Sequence, residues 1–94
     1  MLSQTPIEIG KLKQGDIEKE ALRLGMIAEL DAISLYEQLA AVVRKDDIKK
    51  VFLDIAREEK THVGEFQALL LKYDSEQENE LEKGREEVEE LSEK

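Results

Sequence analysis

Two stretches of the chain repeat apolar residues at alternating steps of four and three, the seam an α-helix presents to a packing partner. In the first stretch the seam is Leu22, Met26, Glu29, Ile33, Tyr36, Ala40 and Val43. In the second it is Ile48, Phe52, Ile55, Glu59, His62, Phe66, Leu69 and Tyr73. The spacing predicts long helices over about 17–43 and 47–73, with Asp16 as N-cap of the first and Asp46 or Asp47 as N-cap of the second. The link from Arg44 to Asp47 is short and charged, which places the two helices side by side and antiparallel. Ahead of them Met1 to Gly15 reads as an irregular lead-in, with Pro6, Gly10 and Gly15 as turn and breaker residues. After Tyr73, Asp74 or Ser75 can cap a shorter third helix within 76–92, anchored by Leu81, Val88 and Leu91. Gly84 weakens that helix, which is expected to cross a surface or interface and fray into an acidic tail at 76–94. The expected fold is all-α, a single domain over 1–94.

The polar residues on these seams change the picture. Glu29, Glu59 and His62 interrupt otherwise apolar faces, and a buried, unpaired carboxylate needs a cation or a hydrogen-bond network. Glu59 and His62 are three apart and point the same way on one helix. In an antiparallel hairpin closed near residues 44–46, Glu29 falls level with both, about 22 Å from the turn at 1.5 Å per residue. Three potential ligands therefore meet at one height. Carboxylate oxygen with imidazole nitrogen suits iron, manganese or zinc. Tyr36, seven residues after Glu29 on the same seam, is placed either to hydrogen-bond a ligand or simply to pack. Glu58 and Glu65 flank the motif as solvated or interface charges.

Leu24, Ile27, Ala28, Leu35, Leu39 and Val42 widen the apolar face of the first helix beyond what one neighbour can cover. A two-helix hairpin also buries too little to stand alone. Both point to self-association, and a two-fold pair of hairpins completes a four-helix bundle with two sets of ligands.

Composition narrows the classes. Asp and Glu total 23 against 14 Lys and Arg, a formal charge of −9, which disfavours nucleic-acid or anionic-membrane partners and suits cations. Without Cys, disulfides, thiolate zinc and iron–sulfur ligation are excluded. No membrane-spanning run and no secretory h-region is legible, so a cytoplasmic protein is expected.

The stretches Ile27-Ala28-Glu29-Leu30-Asp31-Ala32-Ile33-Ser34-Leu35-Tyr36-Glu37 and Ala56-Arg57-Glu58-Glu59-Lys60-Thr61-His62-Val63-Gly64-Glu65-Phe66 resemble the two helix signatures of the encapsulated ferritins, the ferritin-like cargo of encapsulin nanocompartments. The resemblance implies a ferritin-like hairpin plus a short C-terminal helix, paired into a four-helix bundle and ringed as a decamer of five dimers. It implies ferroxidase activity at a di-iron centre held by Glu29, Glu59 and His62 of two chains; the ligand types alone leave room for manganese or zinc as substitutes. It implies an encapsulin shell protein as partner, and iron delivered for storage inside that shell. Some members carry a secondary metal site one before and two after the first ligand Glu; here those positions are Ala28 and Asp31. The last residues, Glu89 to Lys94, do not resemble a shell-targeting peptide, which points to a piece of a fusion or to another mode of targeting.

Two other functions fit the same residues. A rubrerythrin-like di-iron peroxidase uses the same ligands, although the lack of Cys removes a rubredoxin-type electron donor. A non-catalytic helical dimerisation module would use Glu29, Glu59 and His62 as a buried polar network.

Overall fold

The computed structural model describes residues 13–93, and helices dominate it: α1 (Gln14–Val42), α2 (Asp46–Tyr73) and α3 (Ser75–Glu93). Of the expected lead-in 1–15, residues 1–12 lie outside the described residues, as does Lys94, while Gln14 and Gly15 are helical rather than irregular. Helix α1 starts earlier than its apolar pattern, with Gly15 inside its first turn. Its N-cap is Lys13, whose carbonyl accepts from the N–H groups of Asp16 and Ile17. Asp16 is thus not the cap; it lies in the first turn, where a carboxylate still complements the positive end of the helix dipole. The same holds for α2. Lys45 caps it without a side-chain bond, and Asp46 and Asp47 sit in its first turn, with Asp47 Oδ1 accepting from its neighbour Ile48 N–H at 2.8 Å.

Helices α1 and α2 form the antiparallel hairpin, joined through Val43-Arg44-Lys45. Its buried apolar residues are mostly small: Ala32, Ile33, Ala40, Ala56 and Leu70. Small side chains let two helices approach closely, but they leave little area to hold them. On α2 the contact stripe runs through Phe52, Ala56, Glu59, Val63, Phe66 and Leu70. Ile48, Leu69 and Tyr73 of the expected seam are instead 45, 47 and 55 % exposed. A strict seven-residue repeat drifts about 20° per heptad around a straight helix, so its outer members rotate off the contact. On α1, Ile27, Leu30 and Leu35 are also more than a third exposed, and covering each would stabilise by roughly 1 kcal/mol.

Asp74 ends α2 and caps α3: its Oδ1 accepts from Gln77 N–H at 3.1 Å and its carbonyl from Glu78 N–H. Its Oδ2 accepts from Arg23 Nη2 of α1 at 2.9 Å, while Arg23 Nη1 donates to Glu20. This clamp sets the elbow from which α3 leaves the hairpin, giving a flat body of 46 × 45 × 19 Å. Near the elbow, Gln77 and Leu81 border a groove with Met26, Ile27, Leu30 and Leu70. Beyond it α3 has no buried residue, yet it stays helical to Glu93 rather than fraying. Its charges explain this: Lys83 pairs with Glu80, and Arg85 with Glu82 and Glu89, all one turn apart. No helix among the described residues is long and apolar enough to cross a membrane.

The Gln77 amide, followed by the charges of Lys19 and Arg23, holds the Asp74 carboxyl below the usual aspartate range. A depressed folded value means the contribution is complete above the ordinary range and is lost as pH falls through the lower, folded value. Protection of the Gln77 amide, its exchange relative to the unstructured rate at the same pH, is therefore expected to hold at neutral pH and to fall below that range. Asp74→Ala should lower that protection at neutral pH.

Candidate metal centre

The spacing Glu59-Lys60-Thr61-His62 places carboxylate and imidazole one helical turn apart on α2, and the antiparallel register brings Glu29 of α1 across from both. His62 Nδ1 lies 3.4 Å from Glu59 Oε2 and 3.5 Å from Glu29 Oε2. One ligand atom from each of the three residues falls within 4.8 Å of the others. The Glu29 and Glu59 side chains are 19 and 20 % exposed and His62 is 44 %, so the cluster opens on the imidazole side.

These separations exceed the 2.7–3.2 Å of a good N–H···O bond. His62 Nδ1 and Glu59 Oε2 share only a long hydrogen bond, and Glu29 faces both without joining it. Glu29 Oε2 is shielded from water and makes no hydrogen bond. A shielded carboxylate oxygen of that kind is costly, and a cation is its simplest remedy. The donor set, two hard oxygens and one imidazole nitrogen, suits iron, manganese or zinc. Ligands at about 2.0–2.2 Å from one ion lie no more than about 4.4 Å apart, so small side-chain rotations would close this cluster on it. The residues fit a metal ion.

Packed layers bracket the cluster. On the turn side, Ala32, Ile33 and Ala56 are buried, and beyond them the rings of Tyr36 and Phe52 stack with centroids 6.0 Å apart at 22°. Tyr36 is therefore held in the hairpin by its packing on Phe52. Asp31 is half-buried, engaged in an interaction of its own, and outside the three-residue group. Glu58 and Glu65 are exposed, as expected. On the other side, Phe66 lies against Gly25. Gly25 is not among the residues that the apolar seam singles out, although a glycine inside a helix one turn before Glu29 is a legible signal.

The chain belongs to the rubrerythrin family, whose sequence profile matches residues 20–93. Within that ferritin-like group it is 54% identical, over 94 residues, to a ferritin-like–encapsulin shell fusion protein of Pyrococcus furiosus. That match covers 98% of this chain and 27% of the fusion protein, so the chain spans about a quarter of its relative's length. The crystal structure of the encapsulated ferritin domain from Pyrococcus furiosus superposes with a TM-score of 0.82 at 52% identity, covering 97% of this chain and 93% of that one. Both relatives bear out the resemblance to encapsulated ferritins carried by the two helix signatures.

Proposed function

We propose that this chain is half of a ferroxidase, with Glu29, Glu59 and His62 of two copies holding Fe(II) at a centre shared between them. The observation that carries the reading is the meeting of three ligand atoms from two helices within 4.8 Å around a carboxylate oxygen that lacks a hydrogen bond. Three ligands leave an iron ion with open positions, and a second copy related by a two-fold axis supplies three more. The exposed Ile27, Leu30 and Leu35 of α1 give that copy an apolar surface to cover. Bound as a pair, two iron ions supply electrons to dioxygen. The chain's part is to hold and orient the ions: the carboxylates balance their charge, His62 offers a neutral nitrogen, and Tyr36 supplies a nearby phenol as hydrogen-bond donor. Manganese or zinc would occupy the same ligands without the same redox chemistry.

The shell fusion among its relatives supports a place inside an encapsulin compartment; in this reading dimers ring into a decamer and the oxidised iron is stored within the shell. An anaerobic Fe(II) titration followed by native mass spectrometry tests the centre. Two iron ions per pair of chains are expected. A monomer that binds none would return the chain to a helical dimerisation module.

The rubrerythrin profile favours a second reading, a di-iron peroxidase at the same centre. It is less economical here because a chain without Cys lacks a rubredoxin-type donor. Comparing Fe(II)-dependent oxygen uptake with peroxide turnover separates the two.

A further inference from the structure

Glycine is a poor helix former, and Gly25 stands in the interior of α1. The backbone does not require it, because no described glycine has a positive φ. The space around it does. A Cβ added at Gly25 would lie 3.2 Å from Cε1, Cε2 and Cζ of Phe66, tight enough to force the ring or a helix to give by a few tenths of an ångström. The same addition at Gly15, Gly64 or Gly84 meets nothing within 4 Å. The tip of Phe66 therefore rests directly on the α1 backbone.

The place of this contact gives it a role. Gly25 is one helical turn before Glu29, and Phe66 one turn after His62, both on the inward stripes of the hairpin. The contact is thus the layer next to the ligands, on the side away from the turn. The ligand atoms lie within 4.8 Å of one another, close to the about 4.4 Å that one ion tolerates. Any further parting of α1 and α2 at this height moves Glu29 away from Glu59 and His62.

Resting on the metal-binding reading above, we propose that Gly25 and Phe66 are positioning residues: their contact sets the spacing of α1 and α2 at the ligand layer. The test is to titrate Co(II), whose visible spectrum reports ligand geometry, into the unmutated chain, Gly25→Ala, Phe66→Leu and the double variant. Gly25→Ala should shift the Co(II) bands and weaken binding about tenfold, the scale of losing a ligand's support. Its helix content by circular dichroism should be kept or raised, since alanine is the better helix former. Shortening the side chain opposite, Phe66→Leu in the Gly25→Ala background, should restore the bands and most of the affinity. An unchanged spectrum and affinity in Gly25→Ala, or a loss the double variant fails to restore, would overturn the inference while metal binding stands. An unmutated chain that takes up no Co(II) would overturn the metal reading and this inference together.

Discussion

Glu29→Ala is expected to abolish iron binding and, at the same time, to make the metal-free protein more stable. Both halves stem from one side chain. On the proposed reading Glu29 is the ligand from α1, so its loss leaves only the Glu59–His62 pair of α2 and should weaken binding at least about 100-fold. Yet its Oε2 is shielded from water without a hydrogen bond, so the metal-free fold carries an unfavourable charge there. Removing a charge of that kind stabilises by on the order of 1 kcal/mol. For a domain of this size that raises the melting temperature by about 4–8 °C. His62→Ala serves as the contrast: it should also weaken iron binding, but the imidazole is 44 % exposed and its loss should leave stability nearly unchanged. Iron content after dialysis and thermal melts of the metal-free variants check both. Full iron stoichiometry in Glu29→Ala would remove the residue from the site.

The second large effect is the fate of iron once it is oxidised. With many Fe(II) per chain supplied in air, the isolated protein should oxidise iron quickly and then lose it as a precipitate. The hairpin and α3 together make a flat body of 46 × 45 × 19 Å, and the candidate ligands lie along a helix contact that encloses no volume for mineral. In the proposed pairing, two such bodies complete a ligand set but not a cage. Absorbance should rise at once with ferric iron, with light scattering rising after it; zinc added first should suppress both by occupying the ligands. A clear solution holding hundreds of iron atoms per assembly would contradict the reading, as would oxidation no faster than in buffer alone.

The three helices and the height of the ligands are legible in the sequence because both rest on local periodicity and a short link. Glu29, Glu59 and His62 can be matched across the hairpin by counting from the turn, and they lie together. The stripe of α2 is less legible. A strict heptad places Leu69 inward, whereas Leu70 is buried at 4 % exposure, because the accumulated rotation of a straight helix shifts the contact by one residue. The caps differ from expectation where backbone carbonyls of Lys13 and Lys45 take the bonds that Asp16 and Asp46 or Asp47 are expected to receive. Asp74 does cap α3 as its position suggests, since Tyr73 and Ser75 leave both helices a clear break. The persistence of α3 past Gly84 comes from ion pairs such as Arg85 with Glu89, a pattern that apolar seams do not register.

The brevity of Val43-Arg44-Lys45 also orders events in time. Closing a short loop costs less entropy than closing a long one, so helix contacts beside the turn can form first and those farther out come later. The Tyr36–Phe52 stack lies near the start of that zipper, and the Arg23–Asp74 pair, 51 residues apart in the chain, lies near its end. Glu29, Glu59 and His62 fall between, past the start of the zipper. Substitutions at the ligands should then alter the unfolding rate and leave the refolding rate almost untouched. Such a hairpin can be retuned at the Glu29, Glu59 and His62 layer without slowing the birth of the fold that carries it.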